Sequence, residues 1–274
     1  MSIHHTASIH PKAKIGKKVV IGPFVVIDSP DVVLGDGVCL KAQVYISGAV
    51  TIGEGTIIWP FASIGAETQD LKYRGEQTRV IIGKHCRIRE SVTINSSCGE
   101  GSTVSVGDYT LIMAYCHVAH NCSVGSHVVM ANGATLAGHV SIGNWVVLGG
   151  LSAVHQFVRI GDYAMIGGGA MLGRDLPPYT IGSGYPFRIA GLNIVGLKRN
   201  NIGLETRKKL TGIYRITFDQ GLDWENAREK ILSEFSDMPE AQNWVRFCDE
   251  SNRGLVVAMN KKRLKKNLLE VVEV

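Results

Sequence analysis

The sequence predicts a mainly β chain: a hexapeptide-repeat solenoid, wound as a three-sided parallel β-helix and followed by a C-terminal α-helical domain. Three observations predict it. From Leu34 to Leu172 every sixth residue is aliphatic or Met at 21 of 24 positions. The residue after this anchor is repeatedly Gly, as at Gly53, Gly83, Gly107, Gly125, Gly143 and Gly161. The fourth residue after it is small or β-branched, as at Thr56, Ala62, Val92, Ala134, Val140 and Ala164. Neither a helical nor a simple strand period gives this spacing. A hexad with one large apolar residue, one turn-forming Gly and one small residue fits one flat side of a β-helix. Three such sides make a coil of about 18 residues, with anchors stacked inside. Neighbouring coils should lie about 4.8 Å apart, the spacing of paired strands.

The elements follow in order. Ile9, Ile15, Ile21 and Ile27 carry the same pattern, with one extra residue before Leu34. The repeat fails at Asp70 and Glu76, inside AETQDLKYRGEQTRVI (66–81), and at Glu100, inside NSSCGEGSTVS (95–105). Both stretches are polar and read as loops pushed out of the coil while the repeat keeps its phase. Loops on a rigid solenoid are where sites are usually built. After Leu172 the pattern fades through RDLPPYTIGSGYPFRIAG. A helical period begins at about Leu204, in LETRKKLTGIYRITF, DWENAREKILSEF and PEAQNWVRFCDES, with Asp223 and Pro239 as start signals. A helical cap suits a solenoid end, because a bare last coil exposes unpaired backbone groups. The tail KKRLKKNLLEVVEV is expected to be a frayed helix or disordered. The expected division is a β-helix repeat domain over 1–190 and a helical domain over 191–274.

The chain has 274 residues, 45% hydrophobic and 19% charged, with 32 Gly, 8 Pro and a net charge of +5. A folded globular protein is expected. The charge permits an acidic partner or an anionic substrate and identifies neither. No apolar run reaches the length of a membrane span, and the first residues lack the apolar stretch of a secretory signal. The six cysteines form no CxxC pair, so a reduced, cytoplasmic setting is expected. Cys86, Cys98, Cys116 and Cys122 fall at the small-residue position of their hexads and are expected to face inward as small hydrophobes.

The coil length predicts which histidines converge. Residues a coil apart stack, so Ser102, His120, Gly138 and Gln156 form one column. His139 lies one residue past Gly138 and His155 one before Gln156. His120, His139 and His155 are therefore expected on one side of three successive coils, and His117 on a different part of the coil. Phe157, Tyr163 and Trp145 are expected to cover the coil surface or a subunit contact.

In QDLKYRGEQTRV (69–80), IRESVTI (88–94), HVAHNCSVG (117–125), TLAGHVSIG (135–143), AVHQFVRIG (153–161), DLPPYTIG (175–182) and NIVGLKR (193–199), the chain resembles a known family. These are the UDP-N-acetylglucosamine O-acyltransferases that begin lipid A synthesis. They move an acyl chain from acyl carrier protein to the glucosamine 3-hydroxyl. The resemblance implies a left-handed β-helix, a homotrimer with active sites between subunits, and no cofactor or metal. It implies that His120 is the general base and that the Gly138 backbone N–H meets the oxyanion. It implies that Asp70 and Lys72 hold the hexosamine, that His139, His155 and Gln156 contact the nucleotide sugar, and that His117 is a further substrate-side residue. Asn193 and Arg199 would contact uridine and diphosphate. Gly168 would limit acyl length, leaving the groove open for a long chain, expected to be a 3-hydroxyacyl chain. Three positions depart from the family pattern: Asn121 where many relatives have Asp, and Val195 and Asn200 near the uridine site. Lys198, Arg199, Arg207, Lys208, Lys209 and Arg215 form a basic cluster that would steer the acidic carrier protein. No nucleic-acid partner is expected.

Three other readings compete. A zinc hydratase on the same fold would need His ligands from adjacent coils, but leaves the QDLKY loop without a role. A non-catalytic scaffold would present a regular outward face, and these faces are irregular. An N-acyltransferase, or a relative using a 3-amino sugar, differs only in the acceptor atom.

Overall fold

The computed structural model describes residues 1–259, so the expectation for KKRLKKNLLEVVEV lies outside the described residues. Strands of mostly two residues stack into three sheets of 11, 9 and 8 strands, parallel except for the last pair of the first sheet, forming a left-handed β-helix. The first sheet starts at Ser2–Ile3, the second at Ser8–Ile9 and the third at Lys14–Ile15, and the chain visits them in turn. The apolar anchor is the second strand residue of each hexad and points inward. From Ile21 to Leu172 these anchors are at most 3% exposed wherever the repeat holds. The small residues pack beside them: Val92, Ala134, Val140 and Ala164 are all 0% exposed. A larger side chain at either position would overpack a core that is one residue deep per layer.

The strand register accounts for the interruptions. Leu111 pairs with Val129, a coil of 18 residues; Ile57 pairs with Arg87 and Arg87 with Leu111, coils of 30 and 24. The excess is two hexads and then one, which keeps every later anchor pointing inward. The loops are shorter than the sequence predicts. Arg79–Ile82 and Thr103–Val106 are already strands, leaving 67–78 and 96–102 outside the coil. Cys86, Cys116 and Cys122 are buried inside, and burial raises the thiols of Cys116 and Cys122 to about 11. Cys98 departs from expectation: it is half-buried and sits on the second loop, because the inserted hexad leaves the coil there.

Two ladders run along the corner between the third and first sheets. Side chains of Asp36, Asp108 and Asp162 each accept a hydrogen bond from a backbone N–H one coil down, at 2.7 Å. Beside them His85, Tyr109, His127, Trp145, Tyr163 and Tyr179 stack in sequence, with His127 and Trp145 closest at 3.8 Å between ring centroids. All six have positive φ, which is unfavourable for bulky residues. Stacking offsets part of that cost. Trp145 and Tyr163 are thus ladder members, while Phe157 stacks on His139 at the corner between the second and third sheets, 4.6 Å between centroids.

An antiparallel hairpin, Thr180–Ser183 with Arg188–Leu192, leads out of the β-helix. Four helices follow: α1 (Ile194–Arg199), α2 (Leu204–Phe218), α3 (Trp224–Phe235) and α4 (Pro239–Asp249). Asp223 caps α3 by accepting from the Asn226 N–H, and Pro239 occupies the first turn of α4, as their sequence signals predict. The short α1 is absent from the helical periodicity. Trp244, 0% exposed, sits at the centre of the helical layer. The layer is tied to the last coils by polar contacts. Asn243 donates to Asp162 and to Tyr179 at 3.1 Å, and buried Asp175 accepts from the Arg159 N–H and the Ser251 hydroxyl at 2.8 and 2.7 Å. Among the described residues, no helix is long and apolar enough to cross a membrane.

Candidate active site

The first loop folds back along the coil and closes one side of a cavity of about 600 Å³. Its other wall is the corner between the second and third sheets, where His120, Gly138 and Gln156 follow one another up successive coils. Asp70 and Lys72 come from the loop, and His117 and His139 add to the polar lining. The loop holds its own shape: the Asp70 carboxylate accepts the Lys72 backbone N–H at 2.9 Å. That bond, before the charge of His120, lowers the Asp70 pKa below its usual 3.8.

His120 is 7% exposed, a buried imidazole. Its Nδ1 bonds the Asn121 side-chain oxygen at 2.9 Å, and its Nε2 faces the cavity, 3.7 Å from Asp70 Oδ2. The imidazole lies over Gly138. A Cβ placed there would come within 2.3 Å of Cε1 and 2.4 Å of Nε2, so the two residues occupy one site only because 138 has no side chain. The corner also determines what the Gly138 N–H can do. At the opposite corner, side-chain acceptors one coil up cover this N–H. Here, among the described residues, it has no hydrogen-bond partner. A free backbone donor beside an imidazole nitrogen is the arrangement an oxyanion and its proton acceptor require.

His139 meets His120 edge-on, 5.2 Å between centroids. Burial and the neighbouring His120 lower its pKa below 6.5, and the same two causes act on His117. His117 lies on a different part of the coil from His120, on a strand rather than at the corner, and it still lines this cavity because its strand runs directly into that corner. Its Nδ1 shares a hydrogen bond of 2.7 Å with Thr93 Oγ1. Thr93 is a residue that sequence reasoning missed. It stacks under His117 at a separation of 24 residues, which becomes visible only once the second loop is counted as one hexad. Asn95 was also missed: it lines the cavity and donates to the Glu67 carbonyl at 3.3 Å, supporting the root of the first loop.

The other expected residues lie elsewhere. His155 is exposed one residue below Gln156, with its Nδ1 3.2 Å from the Gln156 carbonyl, and does not line the cavity. Asn193 is 4% exposed and caps α1; its amide accepts from the Gly196 N–H at 3.0 Å and donates to the Tyr163 carbonyl at 2.9 Å. Arg199 is exposed in the last turn of α1. Gly168 is exposed at the corner between the first and second sheets, where a Cβ would meet only the Gly150 carbonyl, at 3.3 Å. Among the described residues no cluster of three His, Cys, Asp or Glu side chains could hold a metal ion.

Comparisons with known proteins match both the repeat and the helical part of the chain. The model of domain 2 of UDP N-acetylglucosamine O-acyltransferases matches residues 175–256, and that of bacterial transferase hexapeptides matches 31–66 and 103–138. A Chlamydia pneumoniae protein named acyl-[acyl-carrier-protein]--UDP-N-acetylglucosamine O-acyltransferase is 56% identical over 234 residues, covering 85% of this chain and 84% of its own. The Francisella novicida UDP-N-acetylglucosamine acyltransferase structure superposes with a TM-score of 0.91 at 35% identity, covering 95% of both chains. The Bacteroides fragilis enzyme gives 0.90 at 38% identity, over 93% of this chain and 99% of its own.

Proposed function

The chain belongs to the UDP-N-acetylglucosamine O-acyltransferase family, and from that premise we propose that it moves a long 3-hydroxyacyl chain from acyl carrier protein to the 3-hydroxyl of UDP-N-acetylglucosamine, in lipid A biosynthesis. The observation that carries this is the pairing of His120 Nε2 with the free Gly138 N–H on adjacent coils of one cavity.

In this reading Nε2 takes the proton from the sugar 3-hydroxyl as its oxygen attacks the thioester carbonyl. The negative charge that forms on the carbonyl oxygen is met by the Gly138 N–H. Collapse breaks the carbon–sulfur bond, and His120 gives the proton to the departing thiolate, which restores the neutral base. No acyl-enzyme is formed. Asp70, ionised and 3.7 Å from Nε2, favours the imidazolium while it exists. Asp70 and Lys72 hold the hexosamine, His139 and Gln156 contact the nucleotide sugar, and His117 is a further substrate-side residue. His155, Asn193 and Arg199, away from the cavity in one chain, act on the nucleotide across a subunit boundary in a homotrimer. Gly168 leaves the acyl groove open. The exposed Lys198, Arg199, Lys209 and Arg215 steer the acidic carrier protein; Lys208 is paired with Glu205 at 2.9 Å. The reaction runs in the cytoplasm without cofactor or metal. The division at 190/191, within the hairpin, separates the domain that reacts from the one that docks the donor.

His120→Ala tests the base. Turnover of acyl carrier thioester should fall by roughly 10²–10⁴, the usual share of acid–base catalysis, with thermal unfolding unchanged. Retention of most turnover removes the assignment. Offering the 3-amino analogue of the sugar beside the 3-hydroxyl form, and asking whether the product is a base-labile ester or a stable amide, decides the acceptor.

A further inference from the structure

We infer that Asn121 is a positioning residue whose side-chain amide, clamped by the backbone of the second loop, sets which nitrogen of His120 is free to take a proton, and that the clamp admits an amide and not a carboxylate. The inference deepens the general-base reading and rests on it.

The clamp has two edges. Asn121 Nδ2 donates to the Cys98 carbonyl at 3.0 Å, and Asn121 Oδ1 accepts from the Cys98 N–H at 3.2 Å. One backbone residue thus fixes which end of the amide is oxygen. With that end facing His120, the 2.9 Å contact to Nδ1 can only be Nδ1–H donating. The proton on Nδ1 leaves the Nε2 lone pair facing the cavity. Asn121 is itself held: its backbone N–H donates to Ser97 Oγ at 3.2 Å, and its φ of 57° is one that Asn tolerates well. The loop 96–102 therefore does for this imidazole what an orienting acid does elsewhere.

The second edge makes the amide obligatory. An ionised Asp at 121 would set an oxygen 3.0 Å from the Cys98 carbonyl oxygen, with no proton between them. Either the carboxyl stays protonated or the loop lets go. The resemblance noted above puts Asp here in many relatives; this loop is built for the departure. The other titratable groups facing His120 are Asp70 and Lys72 from the first loop, His117 from its own coil and His139 from the next. All of them lie on the cavity side of the ring, so none replaces the contact at Nδ1.

The experiment is Asn121→Asp in the full chain, with three readouts. We expect kcat at neutral pH to fall roughly tenfold or more, part of the ~10²–10⁴ that a positioned base supplies, with KM for both substrates little changed. We expect the variant-to-wild-type ratio of kcat/KM to rise as pH falls, because a protonated Asp can donate to the Cys98 carbonyl as the amide does. We expect iodoacetamide to label Cys98, followed by peptide mass spectrometry, several-fold faster in the variant at neutral pH. A variant as active as wild type at neutral pH, or a ratio that stays flat with pH, overturns the inference. Independently of turnover, nitrogen-15 NMR of the histidine-labelled wild type should show His120 protonated at Nδ1. Protonation at Nε2 overturns the clamp even if the variant unfolds. If His120→Ala keeps its turnover while that tautomer is found, the base assignment fails and the clamp stands.

Discussion

An imidazole fills the space that a side chain on residue 138 would need. Gly138 has ordinary backbone angles, so Ala would be tolerated by the chain but not by His120. We expect Gly138→Ala to push the ring off its position and lower kcat by roughly 10²-fold, the loss typical of a spoiled oxyanion site. The stability cost should be about 1–3 kcal/mol, the range for overpacking. Steady-state kinetics with denaturant unfolding check both; an unchanged kcat would mean that the two groups do not act together. Counting by coils was enough to put His120, Gly138, His139 and Gln156 in one place. It failed for Thr93 beneath His117, because the partner lies a coil and one extra hexad away.

At the scale of elements, the corners decide function and the flat sides decide folding. Each flat side buries one large and one small residue, whatever the chemistry outside. The corners differ: one carries a ladder of Asp acceptors and stacked rings, another the histidines, and the third small residues such as Gly133, Gly150 and Gly168. The glycine corner is open, and Tyr115 and Leu151 stand exposed along it, an apolar surface on the outside of the coil. Gly168→Met should therefore shift preference toward shorter acyl chains, measured as kcat/KM across carrier-protein thioesters of graded length. An unchanged profile would place the chain elsewhere. The loops were legible as polar breaks, but not their true ends, since Arg79–Ile82 pairs as strand despite its charged first residue. The helix α1 left no periodic signal because it is only six residues long and held by the Asn193 cap.

At the scale of the whole molecule, two histidines at the site link stability to pH. Burial holds the His117 and His139 pKa values below 6.5 in the folded state. Unfolding restores the ordinary value, so the unfolded chain binds these protons more readily. Stability is then full above pH 6.5 and falls as pH drops below it toward the folded values. His117→Gln should flatten that fall, in denaturant titrations run between neutral and mildly acidic pH. An identical slope in the variant would show that His117 is not the group responsible. The helical layer joins the last coils through Asn243, Asp175 and Ser251, and its Leu197, Leu210 and Trp244 belong to the same buried apolar cluster as the stacked anchors.

The sequence by itself determined the winding, because a period of six admits one large residue per layer and forces the next layer above it. It also determined that the interruptions are loops, since both insert whole hexads and leave the anchors in phase. Only the tertiary structure decided which side chains meet inside the site. Loop 67–78 could fold over either neighbouring face, and packing alone brings Asp70 to His120. The same holds for Asn121 and Cys98, whose contact depends on where an inserted hexad leaves the coil. Such contacts are set by backbone paths between coils, which a repeat pattern does not encode.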